Sequence, residues 1–382
     1  MNRKGLELVL LGFFTLAIVM GIGRFAYTPL FPYMDNLSSK AAGWLASANY
    51  TGYFLGAFLV RSIHPTRQRF LFYIWTNIVT TILMGVTMSF SIWLLLRFIS
   101  GVTSAIVFVF ISGWISQEIH NYEGKNRNGI IFGGVGFGIF LSGFLVPLLM
   151  PISNWRVIWI MLGLISIVFT LIFYRFLPES NQTLHSPHKK DSTDSKRSVL
   201  ALYICYFCEG FGYIIFGTFI VAKLSSNEAL PISPSIIWAI TGLAAIPSCL
   251  FWTWLRNRIS LIRTLSIAYI VQLTAIVLDT ISSSLFFTIL SGIGFGGTFI
   301  GITVLSFEMA RQLRPDAPQQ LIAGITAVYG IGQLLGPIAT SFLHPDRSFV
   351  PSFLLSAVVI FVGLVTFLIS EKISSIKVKE SL

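Results

Sequence analysis

An all-α membrane protein of twelve transmembrane helices, in two pseudo-symmetric six-helix bundles, is the fold class that the sequence predicts. Three observations predict it. The chain of 382 residues is 54% hydrophobic and only 11% charged, with a mean hydropathy of +0.79, whereas soluble domains carry roughly 25% charged residues. Apolar runs of about 20 residues, enough to cross ~30 Å of hydrocarbon, recur near 6–34, 42–62, 69–89, 92–117, 129–150, 155–177, 199–222, 234–255, 262–279, 282–307, 319–343 and 349–370. One long polar stretch, 178–198, interrupts the alternation of runs and short loops, with charge, serine and histidine but almost no apolar side chains, the composition of a flexible linker. It divides the chain into an N-terminal bundle (1–177) and a C-terminal bundle (199–382).

Orientation follows from the basic residues. Arg3 and Lys4, Arg67 and Arg69, Lys125 and Arg127, Lys189 and Lys190, Arg256 and Arg258, and Arg311 and Arg314 all fall on the side where the chain begins. Lysine and arginine are retained on the cytoplasmic face. Both termini and the linker are therefore expected in the cytoplasm, in a multi-pass protein of a bacterial inner membrane. The same rule accounts for the net charge of +11, so nucleic acid is not implied as a partner. The apolar run after Lys4 is too long for a signal-peptide core and is expected to remain as the first span.

The halves also match internally. Gly21-Ile22-Gly23 and Gly210-Phe211-Gly212 are offset by 210−21 = 189, Ser100-Gly101 and Ser291-Gly292 by 292−101 = 191, and Gly136-x-Gly138 and Gly330-x-Gly332 by 330−136 = 194. Three similar offsets indicate an internal duplication, and duplicated halves place a binding site between them near the bilayer midplane.

Arg24, Arg97 and Glu209 each lie inside an apolar span. A charge at that depth costs several kcal/mol, so it faces a protein interior or a wet cavity and marks a path for something polar. At a rise of about 1.5 Å per residue, Arg24 and Arg97 fall at a similar level and Glu209 near the midplane. Burial favours a protonated carboxyl and a nearby cation an ionised one, a balance suited to proton coupling. Helical spacing sets Tyr27 beside Arg24, Tyr213 beside Glu209, Tyr53 beside Asn49, and Gln333 beside Tyr329. Aromatics with a few polar anchors suit an organic solute. The three charges are expected to meet in one wet pocket. The duller alternatives are that Arg97 snorkels to the outer headgroups and that Glu209 only pairs structurally.

Twelve spans in two duplicated halves resemble the major facilitator superfamily. More closely, the runs from Gly21 to Leu30 (GIGRFAYTPL), from Gly43 to Tyr50 (GWLASANY) and from Glu209 to Ile215 (EGFGYII) resemble the YbfB/YjiJ family of transporters. The resemblance implies that spans one, four, seven and ten line a transport path. Arg97, Gly101 and Ala105 are similar to the span-four arginine motif of proton-coupled members. Gly134 and Gly138 are similar to the span-five antiporter motif, although Ile139 and Ser142 stand where proline and glycine are usual; Gly332, Gly336 and Pro337 form a cleaner version in span eleven. Asn257 and Ser260 replace the acidic residue and glycine of the usual loop motif, so its gating ion pair is missing or replaced. The glycines serve gating or helix packing.

The function expected is secondary active transport of a small organic solute by alternating access, coupled to protons through Glu209, with export as open as import. The alternative is an uncoupled or anion-coupled facilitator of a carboxylate- or phosphate-bearing metabolite, in which the arginines bind the anion; a non-transporting sensor ranks third. An enzyme is not expected, since no cluster of nucleophile, base and metal ligands occurs at one depth and Cys205-x-x-Cys208 lies within span seven without a histidine. The partners are the solute, protons and the bilayer, with no cofactor and no metal, in a monomer.

Overall fold

The protein, a computed structural model, is described for residues 2–34, 37–123, 127–178, 196–226, 230–282, 284–315, 318–343 and 349–380. Most of the linker (179–195) and the loop lysines Lys125, Lys189 and Lys190 lie outside the described residues. The helices are α1 Arg3–Tyr33, α2 Ser39–Leu59, α3 Arg67–Val86, α4 Phe90–Tyr122, α5 Asn128–Leu149, α6 Trp155–Phe176, α7 Arg197–Ser225, α8 Pro234–Arg256, α9 Leu261–Ile281, α10 Leu285–Leu313, α11 Gln320–Leu343 and α12 Val350–Ser370. Among the described residues, eleven are apolar and long enough to cross a membrane; α2, at 21 residues, has the length but lower hydropathy. The reason is its buried Ser47, Asn49, Tyr50 and Tyr53, which serve the interior and not the lipid. Phe72, Leu95, Leu148, Phe286, Phe342 and Phe361 are more than half exposed, and such large apolar side chains facing outward on membrane-length helices are lipid-facing.

The offset glycines turn out to mark equivalent helix contacts. Gly134 and Gly138 of α5 press on the backbone of α1 at Phe13, Ala17 and Gly21, while Gly332 and Gly336 of α11 press on the backbone of α7 at Phe207 and Phe211. Across the halves, Gly136 and Gly143 of α5 abut Gly242 and Ala239 of α8, and Gly330 of α11 meets Phe54 of α2. Gly101 of α4 touches Asn49 of α2, as Gly292 of α10 touches Ile237 and Thr241 of α8. Small residues let helix backbones approach within lipid, where no hydrophobic force drives helices together. The expected gating or packing glycines are thus packing positions in this conformation, and Pro337 lies where α11 meets Gly43 of α2.

Helix α1 is broken. A π-helical turn, Ala17–Ile22, runs into an irregular turn at 23–26 before Tyr27–Leu30 resumes. Pro29 lacks an N–H and its ring crowds the carbonyl one turn back, which ends the regular ladder. Gly23 permits the break to press on α3, since a Cβ there would strike Asn77.

The halves meet tightly at the far end, opposite the end where α1 begins. Thr28 Oγ1 donates to the Gly217 carbonyl (2.8 Å), Tyr50 and Thr218 share a hydroxyl hydrogen bond (3.0 Å), and Ser47 Oγ donates to the Leu334 carbonyl (3.1 Å). Phe31 meets Phe219 edge to face at 5.9 Å. At the near end a cavity extends from Arg24 past Phe108, Phe132, Phe307 and Thr326.

Candidate functional site

The break in α1 aims Arg24 into the space between the halves. Its guanidinium lies over the rings of Tyr53 (4.2 Å), Tyr50 (4.9 Å) and Phe25 (5.3 Å). Cation–π contacts of this kind stabilise by about 0.5–2 kcal/mol, more where water is excluded. The residue is 2% exposed, yet Nε and Nη2 have no hydrogen-bond partner among the described residues. A buried donor left unpaired costs about 1–3 kcal/mol and more when charged, so an acceptor that reached those two N–H groups would relieve that cost.

What enters would occupy a cavity of about 70 Å³, room for a few waters at ~10–15 Å³ each. Its walls come from both halves: Met20, Arg24, Phe25, Tyr53, Phe108, Phe132 and Val135 from the first, and Tyr206, Tyr213, Phe299, Phe307, Tyr329 and Gln333 from the second. The second-half aromatics form a stack, with Tyr213 5.3 Å from Tyr329 and 6.0 Å from Phe299, and Tyr329 4.4 Å from Tyr206. Gln333 donates to the Tyr213 hydroxyl, and its Oε1 is buried without a partner among the described residues.

Of the residues that the sequence placed in the site, Arg24, Tyr53, Tyr213, Tyr329 and Gln333 do line this cavity. Tyr27, Asn49, Arg97 and Glu209 do not. Tyr27 was expected on the face of Arg24, but the irregular turn at 23–26 changes the phase of α1 between the two. Its hydroxyl donates to the Ala42 carbonyl (2.9 Å), and its ring lies under the Arg97 guanidinium (4.8 Å).

Arg97 stands at the level of Arg24, as helix rise indicated, but it does not snorkel. It is 1% exposed and donates through Nη1 to the Gly23 carbonyl (3.0 Å) and through Nη2 to the Arg24 carbonyl (3.1 Å). These acceptors sit at the break in α1, so Arg97 secures the segment that aims Arg24. Asn49 Nδ2 in turn donates to the Arg97 carbonyl (2.9 Å), tying α2 to α4. Glu209 faces α9, where Oε1 accepts from Gln272 Nε2 (2.7 Å) and Oε2 has no partner among the described residues. The three charges therefore do not share one pocket.

Two ion pairs were not anticipated. Lys223 of α7 binds Asp279 of α9 at 2.7 Å, with side chains 9% and 0% exposed. Arg256 of α8 meets Glu308 of α10 at 2.8 Å near the end where α1 begins. Tyr50 and Tyr206 were also missed, because a tyrosine in a span carries no signal of which way it faces.

Comparison with known proteins decides the family. Residues 16–368 match the family described as the uncharacterised MFS-type transporter YbfB. The chain belongs to that family of the major facilitator superfamily. It is 25% identical over 271 residues to the uncharacterized MFS-type transporter YceJ of Bacillus subtilis (strain 168), covering 66% of this chain and 68% of that protein. Among solved structures it resembles the nucleoside transporter NupG (TM-score 0.70, 15% identity, 97% of this chain and 100% of that one). It also resembles the POT family transporter PepTSo (TM-score 0.73, 11% identity, 98% and 99%). A bacterial homologue of the lysosomal transporter Spinster, inward-facing and unoccupied, gives 0.67 at 13% identity, with 97% and 98% covered. At these identities the structures show the fold alone. The chain is thus an MFS-type transporter and a multi-pass membrane protein, and not an enzyme.

Proposed function

We propose that this transporter carries a small organic solute by alternating access, with Arg24 as the anchor in a site shared by the two halves. The observation that carries the reading is a 2%-exposed arginine in the wall of a cavity shared by both halves, whose buried Nε and Nη2 have no hydrogen-bond partner among the described residues. The far-end contacts between the halves act as a latch that shares a residue with the anchor: the ring of Tyr50 lies against Arg24, and its hydroxyl reaches Thr218 across the interface. A solute that draws Arg24 away from Tyr50 changes its contacts in the latched state only, and such a difference between states is what shifts a conformational equilibrium. With basic residues concentrated at the near end, that end is cytoplasmic and the latch is on the outer side. Exchange of a labelled solute panel in vesicles reconstituted with the protein tests this; a protein that exchanges no solute contradicts it.

Proton coupling is a second reading, and Glu209 favours it. Its carboxyl touches a neutral amide and has an unpartnered oxygen, while Tyr206 and Tyr213, one turn to either side on α7, line the cavity. Glutamine at this position mimics the protonated acid. Glu209→Gln is expected to preserve folding and solute exchange at equal pH but to abolish accumulation driven by a pH gradient, read by uptake with and without the gradient. Gradient-driven accumulation that survives the substitution assigns Glu209 to structure. The facilitator reading is then preferred.

A further inference from the structure

We infer that the site around this cavity, which must widen beyond its present volume of about 70 Å³ to admit solute, selects a monocarboxylate with a flat apolar body, held side-on by the Nε and Nη2 atoms of Arg24. The inference rests on the transport reading above and names the chemistry of its solute. It starts from which atoms of Arg24 are unpaired. Nε and Nη2 lie on the same edge of the guanidinium plane and present two parallel N–H groups. That fork matches the two oxygens of one carboxylate, and such bidentate pairs are roughly twice as strong as neutral hydrogen bonds. The faces of the same group are covered by Tyr53, Tyr50 and Phe25. The edge is therefore both the unsatisfied part and the part held in a fixed orientation.

The charge count argues for one negative charge. Among the described residues, Arg24 is the sole ionisable acid or base in the cavity wall apart from tyrosines. A phosphate monoester near neutral pH, or a dicarboxylate, would leave a second negative charge among Phe108, Phe132, Phe299 and Phe307 with no cation to meet it, and an unpaired buried charge is strongly unfavourable. A neutral solute would leave the guanidinium charge uncompensated. The body of the ligand follows from the remaining walls. Tyr206, Tyr329, Tyr213 and Phe299 form a run of rings stacked on one another, a rigid aromatic wall of the cavity against which a planar apolar group packs.

Benzoate, the isosteric neutral benzamide, phenyl phosphate and benzylamine are the probes, with binding to the full-length protein in detergent measured by calorimetry or by ligand-induced thermal shift. Benzoate is expected to bind at least tenfold more tightly than benzamide, phenyl phosphate or benzylamine. Arg24→Lys keeps the charge but removes the fork, and it is expected to weaken benzoate at least tenfold while the protein still elutes as a single species. Equal binding of benzamide or benzylamine overturns the carboxylate assignment. So does equal benzoate binding by Arg24→Lys, or binding of none of the four probes. The comparison among probes uses the unaltered protein, so a variant that fails to fold does not remove the test. Transport itself is judged separately, by exchange of the wider solute panel, so a protein that exchanges other solutes but ignores benzoate overturns only the inference made here.

Discussion

Asp279→Ala is expected to lower the stability of the detergent-solubilised protein by about 3–5 kcal/mol, the usual cost of removing one member of a buried ion pair. Asp279 Oδ2 lies 2.7 Å from Lys223 Nζ, the Asp279 backbone carbonyl accepts from the same ammonium, and the two side chains are 0% and 9% exposed. Without the carboxylate, the lysine would be held at the end of α7 with only a carbonyl and the distant face of Phe353, 6.0 Å away. Lys223→Ala strands the aspartate in the same way. The double replacement Lys223→Met with Asp279→Leu removes both charges and is expected to recover most of the loss, because exchanging a buried pair for apolar residues of similar volume is often neutral or stabilising. Thermal unfolding followed by tryptophan fluorescence reads all three. Asp279→Ala as stable as the unaltered protein would mean that Lys223 turns to the headgroups and leaves the pair at little cost.

Arg97 gives the second large effect, of a different kind. Its guanidinium bridges two successive carbonyls, Gly23 and Arg24, at the break that aims Arg24 into the cavity. Ser100 Oγ also donates to the Gly23 carbonyl (3.0 Å), so truncation orphans the Arg24 carbonyl more than its neighbour. A buried acceptor left unpaired costs about 1–3 kcal/mol, which a membrane protein of this size survives. The consequence for the site is larger, since misplacing a binding group by about 1 Å can reduce turnover ~100-fold. Arg97→Met and Arg97→Lys are both expected to elute as folded protein yet to slow solute exchange at least ~10-fold. The lysine matters because a single ammonium lacks the planar fork that reaches two acceptors. Exchange restored to the original rate by Arg97→Lys would show that charge alone is needed, and the positioning role would fall.

The layout of the chain was largely legible in the sequence because lipid imposes simple rules. Span length is set by bilayer thickness, and backbone approach without a hydrophobic drive requires small residues. The offset glycines accordingly pointed to equivalent helix contacts, from Gly138 on Gly21 to Gly332 on α7. The site was legible in part. Arg24 stood out because an arginine inside an apolar span, beside Gly23 and Pro29, points to a polar interior and not to lipid. Tyr213, Tyr329 and Gln333 followed from spacing along regular helices, where phase is conserved. Tyr27 did not, because helical spacing fails across the irregular turn at 23–26 that separates it from the regular helix. Glu209 illustrates a different limit: depth follows from position in the span, but rotation about the helix axis does not, and α7 turns this carboxyl to Gln272 of α9. Lys223 and Asp279 were hidden for a related reason. Charges near span ends read as loop charges until the helices that carry them are known to be neighbours.

Solute exchange by Arg24→Gln tests the central claim most directly. In reconstituted vesicles at equal pH on both sides, the unaltered protein is expected to exchange at least one labelled organic anion, and Arg24→Gln, eluting as a single folded species, is expected to exchange it at least ~10-fold more slowly, as loss of a charged two-point contact demands. Exchange at the original rate in Arg24→Gln would mean that this buried guanidinium serves packing alone and that the solute passes elsewhere.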